Sequence, residues 1–212
     1  MQPLLIGIDG LSYSRFMDCD TSTLLNLIDY AERGVTRSSK PLKPCSSWRY
    51  ILGLNETQEI HESQLIKAVS PALINLPLSN PTLGYCSVDL NSTEGLIEEI
   101  NCVEKQIKDN LASRPVIACI TALERAPPSR TCELYRYIDE FVKSIMNFVE
   151  NYILFSSYGI LEKGCKEEFG VYLASVKRPR ARDTVDPSEI GSLFLKMVNE
   201  RRRHTASFNK PG

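Results

Sequence analysis

The chain has 212 residues, of which 42% are hydrophobic and 24% charged, and its formal net charge is −1. This composition is ordinary for a globular protein large enough to bury a substantial core. The near-neutral charge excludes an overall bias toward nucleic acid or anionic membranes. Because the longest apolar runs, such as 116–120, are far too short to span a bilayer, no membrane association is expected.

The cysteines and the first residues bear on the cellular compartment. Seven cysteines occur without any CxxC pair, so the sequence predicts neither a zinc ribbon nor a disulfide framework. We therefore expect reduced, mostly buried thiols. The first residues lack the basic and apolar regions of a signal peptide, and together these features favour a cytoplasmic protein.

The first predicted strand covers 4–8 and ends in Asp9-Gly10. A short apolar run without helical periodicity is typical of a buried parallel strand. Ligands of open α/β sheets bind outside the carboxyl ends of the strands, which makes Asp9 a candidate functional residue. The alternative is that Asp9 only starts a turn, as Asp-Gly pairs often do.

A helix is then predicted over 23–33, ended by Gly34, and a second over 46–52 after a proline-rich segment. Cys45, Ser46 and Ser47 lie at the start of this second helix. Free N–H groups and the helix dipole favour an anion there, so these residues are candidates for a phosphate-directed nucleophile. Ordinary capping by Ser46 is the alternative.

Strands and helices alternate along the rest of the chain. The remaining predicted strands are 35–38, 72–76, 115–121, 152–155 and 169–175, and the remaining predicted helices are 62–69, 94–111, 133–149 and 187–199. This alternation predicts an α/β fold with three layers, in which a mostly parallel sheet carries helices on both faces. We expect one domain over 1–204 and a flexible tail over 205–212.

Several motifs resemble those of the alkaline phosphatase superfamily, most closely the type I phosphodiesterase and nucleotide pyrophosphatase branch and its archaeal relatives. They occur in the family's order and cover almost the whole chain: Leu5–Leu11, Leu24–Gly34, Pro41–Gly53 with Trp48, Ile74–Pro77 with Asn80, Pro81 and Gly84, Ile120–Arg125, Tyr135–Ile145 followed by Ile153–Gly159, and Gly170 onward with Asp186, Glu189 and Ile190. The resemblance implies an ancestral site with two metal ions, usually zinc, flanking a Thr or Ser nucleophile.

The resemblance also implies that most of this site has been lost. Asp9 matches a metal-binding aspartate, and Glu124 stands where a second aspartate is usual. Other ligand positions are occupied by Pro128, Ser157, Tyr158 and, within one residue, Lys166. The nucleophile position falls at Pro44 or Cys45 when Trp48 anchors the alignment. The two histidines of the chain, His61 and His204, match no ligand position, and 160–165 leaves no room for the family's cap insertion.

These matches lead to two alternative functions. The first is a non-catalytic, degenerate relative of metal-dependent phosphodiesterases and phosphatases, without a cofactor and with a binding or scaffold role. A weak pocket for a phosphate-containing ligand would then involve the serines at 46, 47, 156 and 157. The alternative is a divergent phosphoester hydrolase that uses one Mg, Mn or Zn ion held by Asp9 and Glu124 and a nucleophile among 45–47.

The C-terminal part of the chain is basic. From residue 177 onward there are nine Lys or Arg against four Asp or Glu, and the basic residues include Lys177, Arg178, Arg180, Arg182 and Arg201 to Arg203. A solvated surface is the preferred interpretation, and nucleic-acid binding is not expected because interleaved aromatic residues are few. The partner stays open, as does assembly into a homo-oligomer.

Overall fold

A computed structural model describes residues 1–38, 43–161, 165–178 and 183–208, with side chains described as far as 204. The strands are β1 (Leu4–Ile8), β2 (Glu32–Arg37), β3 (Ala72–Ile74), β4 (Val116–Ile120), β5 (Tyr152–Phe155), β6 (Gly159–Ile160), β7 (Lys166–Glu167), β8 (Phe169–Ala174) and β9 (Thr184–Val185). The α-helices are α1 (Tyr13–Asp18), α2 (Ser22–Tyr30), α3 (Pro44–Ile51), α4 (Gln64–Val69), α5 (Leu96–Leu111), α6 (Ala122–Arg125), α7 (Thr131–Met146) and α8 (Pro187–Phe208). No helix within the described ranges is both long and apolar enough to cross a membrane.

Seven strands form one mixed sheet in the order β3-β4-β1-β5-β8-β2-β9. The pairs β3–β4, β4–β1, β1–β5 and β2–β9 are parallel, whereas β8 is antiparallel to both β5 and β2. Strands β6 and β7 pair separately as a short antiparallel hairpin. The prediction of an α/β fold with a mostly parallel sheet is confirmed at this level.

Strand β1 lies inside the sheet, between β4 and β5, and its small and apolar residues suit a buried position. The whole strand is fully buried. Its even-numbered residues pack in a core with α5 and α7, and Leu5 packs in a second core with α3 and α8. A Cβ on Gly7 would lie 2.5 Å from the ring of Trp48, so the missing side chain lets this α3 residue pack directly on the strand. Side chains of a strand project alternately to its two faces, and each core covers one face of β1.

The structure shortens one predicted helix and lengthens another. The helix expected over 23–33 ends at Tyr30, because the chain enters β2 at Glu32 and pairs with β8 over six residues. Gly34 consequently lies inside a strand and does not cap the helix. At the other end, α8 continues to Phe208, so the expected tail begins as helix, and 209–212 lie outside the described residues.

The expectation of reduced thiols is wrong for four of the seven cysteines. Disulfides join Cys19 to Cys132 and Cys86 to Cys102, across sequence separations of 113 and 16 residues. The remaining cysteines, Cys45, Cys119 and Cys165, are free. Sequence spacing did not indicate these pairs because the partners approach only when α1 meets the start of α7 and a long loop meets α5.

Candidate functional site

The side chains predicted from the strand ends are delivered to one edge of the sheet. Asp9 directly follows β1, Glu124 lies in the four-residue helix after β4, and Ser157 and Tyr158 follow β5. Since β1 lies between β4 and β5 and is parallel to both, the three strands end at the same edge. This is the edge at which ligands bind in open α/β sheets.

Asp9 is fully buried, and only one of its two carboxyl oxygens has a hydrogen-bond partner among the described residues. Its Oδ2 accepts a hydrogen bond from the Cys119 thiol at 3.3 Å, whereas its Oδ1 is buried without a partner among the described residues. Burial raises the pKa of Asp9 to about 8; the Cys119 hydrogen bond lowers it, the charges of Glu124 and Glu99 raise it, and the charge of Lys166 lowers it. Asp9 is therefore a carboxyl group that binds a proton at neutral pH unless a further cation compensates its charge.

A lysine lies at the second carboxylate. The Lys166 ammonium forms an ion pair with Oε1 of Glu124 and lies 4.7 Å from the centre of the Tyr158 ring. The other oxygen of Glu124, Oε2, is buried without a partner in the described part of the chain. Burial, together with the charges of Asp9 and Glu124, raises the pKa of Tyr158, which keeps its hydroxyl neutral.

The β6–β7 hairpin brings Lys166 to this edge. The Ile160 backbone N–H donates to the carbonyl oxygen of Gly10 at 3.0 Å, which attaches the hairpin to the turn after β1. On the neighbouring strand, Glu167 accepts a hydrogen bond from the hydroxyl of Ser12. A small pocket beside the hairpin is lined by Gly10, Leu123, Ala126, Pro128, Thr131, Tyr135 and Ile160.

The two-metal site of the resembled family does not fit these residues. Pro128 has no ligating side-chain atom, and Lys166 carries a positive charge that is paired with Glu124. Within the described ranges no group of three or more His, Cys, Asp or Glu side chains could hold a metal ion. Zinc sites need three or four converging ligands, and the remaining pair, Asp9 and Glu124, falls short of that number.

The helix that carries the candidate nucleophiles begins earlier than expected. Helix α3 starts at Pro44, and Lys43 takes the N-cap position, so the expected start at Ser46 and its capping role are wrong. A proline at the first helical position explains this start, because its missing N–H would have no helical partner and its φ already suits a helix. Cys45, Ser46 and Ser47 consequently lie in the first turn.

Two of the side chains in that turn have partners of their own. The Cys45 thiol lies 3.7 Å from the carbonyl oxygen of Leu78, and the hydroxyl of the buried Ser47 lies 3.3 Å from that of Ser38. Among the described residues, no hydrogen bond joins any of the three candidates at 45–47 to Asp9 or Glu124. The predicted nucleophiles and carboxylates are therefore not hydrogen-bonded into one catalytic unit.

The sequence patterns did not predict a buried polar network that lies next to Asp9. Glu99 accepts hydrogen bonds from Asn75 Nδ2 at 2.6 Å and from the Thr121 backbone N–H at 2.5 Å, and its other oxygen lies 2.5 Å from Arg125 Nη2. Nη1 of Arg125 in turn donates to two carbonyl oxygens of the loop before α5, at 2.6 and 3.2 Å. Because Glu99 lies four residues before Val103 on the apolar face of α5, the helical spacing contained a signal for a buried carboxylate.

The basic residues of the C-terminal part make contacts within the fold. Arg178 donates to a carbonyl oxygen of β9 at 3.3 Å and lies 3.9 Å from Glu32. Arg202 donates to the last carbonyl oxygens of α4 at 2.9 and 3.1 Å. Arg180 and Arg182 lie outside the described residues. These contacts favour a structural role for Arg178 and Arg202.

Neither a protein-family model nor a curated protein sequence matches this chain. The resemblance to the alkaline phosphatase superfamily therefore stays a prediction from the order of the motifs. The structure itself establishes a coarser class, an α/β fold with a mostly parallel mixed sheet. At one end of this sheet lie two carboxylates, one of them paired with a lysine.

Proposed function

We propose that this chain is a non-catalytic, degenerate relative of metal-dependent phosphodiesterases and phosphatases, with a three-layer, alkaline phosphatase-like core and a binding or scaffold role. The observation that carries the proposal is the ion pair between Lys166 and Glu124 at the sheet edge. A lysine ammonium uses an acceptor that a metal ion would need, and its charge repels a second cation. Without that ion, no metal ion would be present at this edge to activate a nucleophile or neutralise a phosphoryl group.

Both partners of this pair are held in place by the fold. Glu124 belongs to the short helix that follows β4, and Lys166 belongs to a strand paired with β6. Their side chains are only 18% and 34% exposed, respectively. The ion pair thus joins two elements of the fold at a place where Lys166 is exposed and Glu124 is half-buried.

The cellular location is left out of the proposal. A cytoplasmic location was expected from reduced cysteines, and the two disulfides remove that basis. Such bonds persist in oxidising compartments and in the cytosol of hyperthermophiles.

One observation favours the alternative, a hydrolase that uses a single metal ion. Oδ1 of Asp9 and Oε2 of Glu124 are both buried and lack partners among the described residues. Two such carboxylate oxygens could hold one hard ion that keeps water as its other ligands. The nucleophile would then come from Cys45, Ser46 or Ser47.

Hydrolysis of bis-p-nitrophenyl phosphate in the presence of Mg²⁺, Mn²⁺ or Zn²⁺ distinguishes the two functions. We expect no metal-dependent release of nitrophenol by the purified protein above the rate of the buffer. Metal-dependent hydrolysis that Asp9→Ala abolishes and Asp29→Ala preserves would refute the non-catalytic proposal and establish the alternative. Asp29 is a suitable control because it is an exposed carboxylate on α2.

A further inference from the structure

The charges at the sheet edge are nearly balanced without any added ion. Glu124 brings a carboxylate, Lys166 brings an ammonium, and Asp9 binds a proton at neutral pH. Asp9 lies at the same edge as this ion pair, because it follows β1 and Glu124 follows the neighbouring parallel strand β4. A buried carboxylate is costly unless a cation lies close to it, so the lysine stabilises this arrangement.

The surroundings of the ammonium resemble those of a bound cation. Besides the Glu124 carboxylate, it faces the ring of Tyr158, whose π-electrons attract positive charge. Tyr158 is completely buried, which fixes the ring in position. The hairpin attached to Gly10 positions the lysine backbone. The ammonium therefore lies in a defined environment.

We propose that the Lys166 ammonium is a built-in cation that pairs with Glu124 at the edge where Asp9 also lies, and that removing its charge turns Asp9 and Glu124 into a binding site for a divalent cation. This inference rests on the proposed function, since it explains how a site that has lost its metal ligands keeps its carboxylates. Two carboxylates and water are ligands that Mg²⁺ and Mn²⁺ accept, whereas Zn²⁺ would require additional nitrogen or sulfur ligands.

Thermal unfolding in EDTA and in excess Mn²⁺ tests this proposal. We expect Mn²⁺ to raise the Tm of Lys166→Ala by about 3–6 °C when the free ion is at ten times its Kd, as mass action requires for an ion bound only to the folded chain. The Tm of the wild-type protein and of Lys166→Arg should not change, because both keep the cation. The double variant Lys166→Ala with Asp9→Asn should lose the response, which ties it to this pair of carboxylates.

A second lysine supplies a matched control. Lys108 forms an ion pair with Glu104 at 2.5 Å, and these side chains are 34% and 24% exposed. Lys108→Ala therefore removes a comparable ammonium from a comparable carboxylate, and it should give no Mn²⁺ response. A response as large as that of Lys166→Ala would overturn the proposal, because it would show that any released carboxylate binds the ion.

Two further outcomes would overturn the inference. One is a Tm of Lys166→Ala that does not respond to Mn²⁺, and the other is a wild-type response of equal size. If Lys166→Ala does not fold in EDTA, Lys166→Gln, which keeps most of the side-chain length, replaces it. Mn²⁺ should then raise the Tm of Lys166→Gln, and an unchanged Tm would overturn the inference. Failure here differs from failure of the proposed function, which would appear as metal-dependent hydrolysis by the wild-type protein.

Discussion

Replacing Asp9 by asparagine should change how the stability of the protein depends on pH. Burial raises the pKa of this carboxyl group from 3.8 to about 8. Between these two values the folded protein holds a proton that the unfolded chain has released. Stability therefore falls as pH rises through this range, and it becomes independent of Asp9 above the folded-state pKa. Asp9→Asn removes this dependence because the amide does not titrate.

The magnitude follows from the same shift. A fully populated difference of one proton changes the free energy of unfolding by about 1.4 kcal/mol per pH unit. Between pH 5 and pH 7.5 the upper limit is therefore about 3 kcal/mol, and we expect at least about 1 kcal/mol after local relaxation and water penetration. This is a substantial part of the roughly 5–15 kcal/mol by which domains are stable. The stability of Asp9→Asn relative to wild type should rise by this amount over that interval.

Urea unfolding at several pH values in EDTA measures the effect. The chain has a single tryptophan, Trp48, which is fully buried and reports unfolding by its fluorescence. Asp29→Asn serves as a control for the loss of one negative charge, since this residue is exposed. A difference in stability between Asp9→Asn and wild type that stays constant from pH 5 to pH 7.5 would refute the reasoning.

Three further predictions concern the framework around the site. Arg125→Met should lower the free energy of unfolding, measured in urea, by about 3–5 kcal/mol, because it leaves the completely buried Glu99 carboxylate without its cation. The double variant with Glu99→Gln should recover part of this loss. A loss in the double variant equal to the sum of the two single losses would contradict the prediction. Gly84→Ala should cost more than about 2 kcal/mol, since φ is +95° and a Cβ would lie 2.2 Å from a backbone carbonyl oxygen. Gly95→Ala, at φ +65° with open space, should cost less in the same assay, and equal losses would argue against the steric cause. Thiol titration of the denatured, unreduced protein should find three free thiols, and a count of seven would rule out both disulfides.

The sheet illustrates where local patterns were sufficient. The apolar run of β1 and the helical spacing of α5 predicted these elements to within two residues, because burial on both faces or along one stripe leaves a periodic trace in the sequence. The orientation of β8 left no such trace. It is antiparallel to β5 since the short connection between them folds as a hairpin, with no crossover helix in its described residues.

The candidate site likewise has features that the sequence predicted and features that it did not. The positions of Asp9 and Glu124 could be predicted because both follow buried strands, and neighbouring parallel strands end at one edge of a sheet. The start of α3 at Pro44 could not, since capping by serine and a proline start compete within the same few residues.

By itself, the sequence determined the strand that carries Asp9 and the α/β class of the fold, because both depend on residue type and local periodicity. Only the tertiary structure decided which charges meet. Lys166 reaches Glu124 across 42 residues and Cys119 reaches Asp9 across 110. Such contacts depend on where the hairpin and the strand pairing place the side chains. The number of residues between two positions carries no information on how far apart their side chains lie in the fold.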